Sequence, residues 1–162
     1  MTPTISIDRD TATFAVAVEH DAAPSRLWQL WADPRQLERW WGPPSHPATV
    51  TDHDLSPGGH VRYYMTSPEG ERYPGGWRVL GVDPPNRLDF EDYFADESGD
   101  VNADLPISRS TVTFEETSSG RTRMTIVTRY EDAAAMEKVL EMGMEQGISL
   151  ALGQIGALLA ET

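Results

Sequence analysis

The side chains that could do chemistry are few and scattered. His20, His46, His53 and His60 have no zinc-site spacing, and neither His-Glu-x-x-His nor His-x-x-Glu-His occurs. Asp52, His53 and Asp54 fall together on an extended segment, so the aspartates share one face and the histidine takes the other. No third ligand joins them, and a polar strand edge accounts for them. Asp100-Val101-Asn102-Ala103-Asp104 begins like a calcium loop. Leu105 then stands where that loop requires glycine, and no glutamate occupies the twelfth place. No metal site is expected. With no cysteine in the chain, thiolate nucleophiles and disulfides are excluded. There is no nucleophile elbow, phosphate loop or dinucleotide fingerprint, so no cofactor is expected either. A buried acid could serve a cyclase or isomerase, its pKa raised by an apolar wall. Asp89, Glu91, Arg62 and Arg78 lie on extended segments, but if Phe90 faces inward, Asp89 and Glu91 face away by the period of two. No catalytic residue is assigned, and the residues do not indicate an enzyme.

The elements that must position any site are organised around the last stretch of the chain. Leu140, Met144, Ile148, Leu152, Ile155 and Leu159 recur at steps of four and three, one stripe of a helix. Asp132 can cap its start. From residue 133 to 160 such a helix would run about 42 Å, and an apolar stripe that long needs a large sheet to lie against. Gly143, Gly147, Gly153 and Gly156 each weaken it by about 1 kcal/mol against alanine, which predicts a bend or break near Gly143.

The rest of the chain supplies that sheet. Residues 1–10 read as polar and loosely held. Phe14, Val16 and Val18 then alternate on a first strand over residues 11–20. Ala23-Pro24 and Asp33-Pro34 each open a short helix, with proline where the N–H is unpaired anyway. Leu27, Trp28, Leu30 and Trp31 give the first a bulky face; Leu37, Trp40 and Trp41 close the second. Six further strands are expected over residues 48–54, 60–66, 72–82, 87–94, 110–116 and 122–130, separated by Pro/Gly turns. Gly75-Gly76 suggests a bulge or a close backbone approach. Residues 96–106 read as an acidic surface loop. Hairpin-length connections imply an antiparallel sheet.

A chain of 162 residues suits one domain. Its formal charge of −13 has the sign of nucleic acid, which it would repel. The first residues carry no basic region followed by an apolar run, so no signal peptide is read there. Nothing approaches the roughly 18 apolar residues of a membrane span. These features lead us to expect a cytoplasmic protein.

The order strand, two short helices, about six strands, long helix is the helix-grip layout, and particular stretches narrow it. They are Trp28–Trp31 with Asp33-Pro34 and Arg39-Trp40-Trp41-Gly42-Pro43, then Asp54-Leu55-Ser56-Pro57-Gly58-Gly59. Residues 65–70 running into Tyr73-Pro74, and Asp83-Pro84-Pro85-Asn86-Arg87-Leu88, follow. Residues 111–116 with 122–125, and the closing Met142-Gly143-Met144-Glu145-Gln146-Gly147, complete the set. Over residues 11–160 the chain resembles the START-like (SRPBCC) superfamily. Within it, the chain resembles bacterial single-domain proteins named after the activator of the Hsp90 ATPase.

That resemblance implies an α+β fold, a curved antiparallel sheet of about seven strands gripping the C-terminal helix. It also implies an apolar cavity between them that holds a lipid-, sterol- or polyketide-like molecule. The pattern supplies candidates for its wall. Met136, Leu140, Met144, Ile148 and Leu152 come from the helix; Tyr63, Met65, Trp77, Phe90, Phe114 and Met124 come from the strands; Trp40 and Trp41 would close one end. Methionine suits a wall that accepts varied shapes. Each of these residues could equally fill a core, because periodicity does not separate lining from filling. Two adjacent tryptophans at a helix end face different ways, so one should anchor the hairpin and the other reach the cavity mouth or the surface. Binding of a hydrophobic small molecule is the leading expectation. A chaperone-associated role and a cyclase, dehydratase or isomerase in the same cavity stand as alternatives, with a homodimer left open.

Overall fold

The computed structural model describes residues 3–161. Strand β1 (Thr4–Asp8) turns into β2 (Thr13–His20), and helices α1 (Pro24–Ala32) and α2 (Pro34–Trp40) follow. Six strands come next: β3 (Ala48–His53), β4 (His60–Thr66), β5 (Arg72–Asp83), β6 (Arg87–Phe94), β7 (Ser108–Ser118) and β8 (Arg121–Arg129). The chain ends in α3 (Ala133–Glu141), α4 (Met144–Leu152) and α5 (Ile155–Ala160). One sheet holds all eight strands in the order β1-β2-β8-β7-β6-β5-β4-β3, each pair antiparallel. Among the described residues, no helix is long and apolar enough to cross a membrane.

The expected elements are present, with two corrections. The sheet has eight strands rather than about seven, because residues 4–8 form an edge strand against β2 instead of a loose tail. Ile5 and Ile7 are half-buried there while their neighbours are exposed, an alternation too short and polar to stand out. The C-terminal helix is three pieces. At Gly143 the backbone enters the left-handed region, φ 88°, where a side chain is strained, and this breaks the helix as expected. At Gly153 the backbone stays right-handed, and Gln154 N–H donates to Ala151 C=O at 3.1 Å, so this second interruption is a local tightening. The β5 register shifts between Val79 and Gly81, and of the two alternatives expected at Gly75-Gly76 the close approach is the one present. A Cβ on Gly75 would stand 2.7 Å from the Tyr63 hydroxyl, and one on Gly76 would stand 2.5 Å from that of Tyr93.

Caps fall where the sequence put them. The Asp33 carboxylate accepts from Arg35 N–H at 2.9 Å, and that of Asp132 from Ala135 N–H at 2.8 Å. The α1–α2 hairpin docks through Arg35, which donates to Val50 C=O at 2.9 Å, and Glu38, which accepts from Val50 N–H at 3.0 Å. Its tryptophans drive into the sheet. Trp31 meets Trp40, Trp41 and Trp77 with ring centroids 4.9, 5.8 and 5.6 Å away, and Trp77 stacks on Phe90 at 4.2 Å. Buried aromatic area of this kind is the main stabilising contribution to the core.

Candidate functional site

Beyond that aromatic core, sheet and C-terminal helices do not close on solid side chains. They leave a partly open cavity of about 310 Å³. Phe14 and Val16 reach it from β2, and Ile126 and Thr128 from β8. Tyr63 and Met65 reach it from β4, and Phe90, Asp92 and Phe94 from β6. β2 and β4 are five strand intervals apart, about 24 Å in a flat sheet, so both can line one space only because the sheet curls. Val139 of α3 and Met144, Gly147, Ile148 and Ala151 of α4 form the opposite wall. Met142 and Gly143 line the space and are also exposed, so the mouth lies at the break between α3 and α4. Gln154, between α4 and α5, ties the helices to the segment after α2, donating to Gly42 C=O at 2.8 Å just beyond Trp41.

The sequence candidates divide between wall and core. Trp41, Tyr63, Met65, Phe90, Met144 and Ile148 line the cavity. Trp40, Trp77, Phe114, Met124, Met136, Leu140 and Leu152 do not. Trp40 is fully buried and donates its indole N–H to Leu30 C=O at 2.9 Å, which makes it the hairpin anchor. Met124 accepts from the Trp31 indole at 3.3 Å, and Phe114 packs edge-on against Trp28 at 5.7 Å. Met136 and Leu152 are buried, and Leu140 packs against the core from a half-buried position. These seven face inward as their spacing says, but into filled space.

The outward polar residues are paired. Arg78 pairs with Glu91 and Arg87 with Asp89, and Arg62 lies 3.8 Å from Asp52. His53 Nε2 lies 2.9 Å from Trp31 C=O, tying β3 to α1. Ser56 donates to Asp54 at 2.6 Å.

The polar residues of the lining, Asp92, Ser108, Ser110, Thr128 and Tyr130, are absent from the sequence candidates, and Asp92 alone among them is a carboxylate. Asp92 follows Phe90 by two positions on β6, so the alternation that turns Asp89 and Glu91 outward turns Asp92 inward. Burial among apolar side chains pushes the Asp92 carboxyl up to about 7. Among the described residues it has no hydrogen-bond or ion-pair partner. The Tyr63 phenol is raised well above its usual range, first by burial and then by the nearby Asp92 charge, while the Trp41 indole opposes the shift. Tyr130 is raised for the same two leading reasons. Ser108 stands opposite Asp92 in register, and Ser110 shares a 2.8 Å hydrogen bond with Thr128. The cavity therefore has an apolar body and one polar side. Its lining contains no lysine, arginine or histidine.

A curled antiparallel sheet gripping C-terminal helices, with an apolar cavity between them, defines a helix-grip protein of the START-like class. More narrowly, the chain belongs to the family described as Activator of Hsp90 ATPase homolog 1-like protein, whose model matches residues 21–160. It is similar to a crystal structure of a Mycobacterium smegmatis protein, at 50% identity over 100% of this chain and 99% of that one, with a TM-score of 0.91. A solution structure from Arthrobacter aurescens is 43% identical over 98% of this chain and 92% of that one, with a TM-score of 0.93. The AHSA1 protein from Silicibacter pomeroyi is 25% identical over 92% and 98%, with a TM-score of 0.73. No curated protein matches the chain.

Proposed function

We propose that this protein binds a hydrophobic small molecule, lipid-, sterol- or polyketide-like, in the cavity between sheet and C-terminal helices, and does so in the cytoplasm. The observation that carries this reading is the partly open space of about 310 Å³ with a predominantly apolar wall. Trp41, Tyr63, Met65, Phe90, Met144 and Ile148 are the wall residues assigned to contact the ligand. Burying about 200 Å² of ligand apolar surface would contribute about 5 kcal/mol before the costs of association. Native mass spectrometry of protein purified from its own host tests this directly, because a retained apolar compound would be seen. The solution test is a titration with an environment-sensitive apolar dye, read also through the protein's tryptophan fluorescence. Gly147→Phe places a ring into the cavity and should abolish dye binding. Dye binding that survives this substitution in folded protein would show that the cavity is not the site.

Asp92 favours a second reading, acid–base chemistry on the bound molecule, because a carboxyl poised near neutral pH is suited to moving protons. Turnover lost in Asp92→Asn, with ligand affinity kept, would support it. The chaperone-associated reading has the family match alone behind it. ATPase stimulation measured with the purified host chaperone and no small molecule would favour that reading.

A further inference from the structure

We infer that the ligand carries a protonated amine on its apolar body, and that Asp92 is the residue that selects it. The inference rests on the cavity-binding reading above. Asp92 is half-buried on the cavity wall, among largely apolar neighbours and without a protein partner among the described residues, and a carboxyl so placed weakens the fold that contains it. Here the missing partner is one the cavity has room to admit.

Three features of the cavity favour a cation over other head groups. Among the described residues no lysine, arginine or histidine lines it, so no cationic side chain repels an ammonium or would pair with a carboxylate or phosphate, for which only hydroxyls and the unpaired Trp41 indole N–H are left as donors. An anionic head would meet Asp92 instead. Aromatic rings of Trp41, Tyr63, Phe94 and Tyr130 share the lining, and ring faces attract a desolvated ammonium. The whole chain carries a formal charge of −13, which raises the local concentration of cations. A neutral alcohol or ketone would gain one ordinary hydrogen bond from Asp92. An ammonium gains a charge-assisted one, stronger by nature and strengthened further by the low dielectric of the wall.

The pH dependence follows from the same group. The other titratable side chains facing the cavity are Tyr63 on β4 and Tyr130 after β8; Tyr93 on β6 follows Glu91 by two positions, and its side chain lies on the other face of the sheet. The Tyr93 hydroxyl lies 3.4 Å from His60 Nδ1. The lining residues of β2, β7, β8, α3 and α4 include no ionisable side chain. Amine binding needs the Asp92 carboxylate and displaces its proton. With a pKa of about 7, amine affinity should rise roughly tenfold between about pH 6 and about pH 8.

The test is calorimetry with three compounds of one apolar body: naphthylmethylamine, naphthylmethanol and naphthoate. Near pH 8 the amine should bind at least about tenfold tighter than the alcohol, with naphthoate weakest. In the native protein near pH 6, amine binding should release close to one proton per site, read from buffers of different ionisation enthalpy, and alcohol binding none. Asp92→Asn should bring amine and alcohol affinities to within about twofold of each other and abolish the pH dependence. Equal affinity for alcohol and amine, or an amine preference that survives the substitution, would overturn the inference and leave the binding reading standing. Failure of all three compounds and of the apolar dye would overturn both. The proton release uses unsubstituted protein and decides the matter even if the variant folds poorly.

Discussion

Trp41 and Trp77 meet edge to face with ring centroids 5.0 Å apart, and that contact is the border between core and cavity. Trp41 presents its other side to the cavity, whereas Trp77 is fully buried and stacked on Phe90. Two rings in one cluster thus have different duties. One supports the sheet, and the other shapes the space beside it.

Truncation should separate those duties. Trp77→Ala removes a ring packed on all sides and is expected to cost about 3–5 kcal/mol in urea unfolding. Met144→Ala removes a half-buried side chain from the cavity wall. Its loss should cost about 1 kcal/mol and change apolar-dye affinity, which the Trp77 variant would change only through unfolding. Equal destabilisation by both would mean that Met144 packs as core.

Asp92 should make the protein less stable as pH rises through neutrality. Its folded pKa is raised, so between about pH 4 and about pH 7 the folded state holds a proton that the unfolded state has lost. Stability falls across that window and levels off above it. Asp92→Asn should flatten the curve and gain about 1–3 kcal/mol near pH 8, allowing for water that reaches the carboxyl through the cavity. Chemical denaturation at several pH values checks this, and parallel curves for the two proteins would contradict it.

Two glycines at the cavity mouth should respond to alanine with opposite signs. Gly143 holds a left-handed conformation at the α3–α4 break, φ 88°, so Gly143→Ala should destabilise by about 1 kcal/mol. Gly147 lies within α4 with no heavy atom within 4 Å of a built Cβ. Gly147→Ala should therefore stabilise by about 1 kcal/mol, and it should reduce the affinity for a bulky ligand. Thermal melts of the two variants should move in opposite directions.

Gly75→Ala tests how the cavity wall is held. The added methyl would meet the Tyr63 hydroxyl at 2.7 Å and its ring carbon at 2.9 Å, so Tyr63 must move. The loss should be about 1–3 kcal/mol. Replacing Tyr63 by a smaller residue in the same chain should restore part of it, and a double-mutant cycle measures that coupling.

Periodicity and turn chemistry determine most of the elements in this protein, though not the edge strand β1 or the second interruption of the last helix. Asp33 and Asp132 cap helices because their carboxylates sit next to unpaired N–H groups, Gly143 breaks the last helix because of its backbone freedom, and Phe14, Val16 and Val18 face inward because strands alternate. Those are local causes, readable from neighbours in the chain. The same alternation aims Asp92 inward, so its direction was legible too. Tyr63 and Phe90 line the cavity while Trp77, Phe114 and Met124 fill the core, although all five face the same side of the sheet. Only the tertiary structure decided between them. Spacing fixes which way a side chain points, but whether it meets another side chain or a void depends on how far the sheet curls and where α3 and α4 come to rest above it.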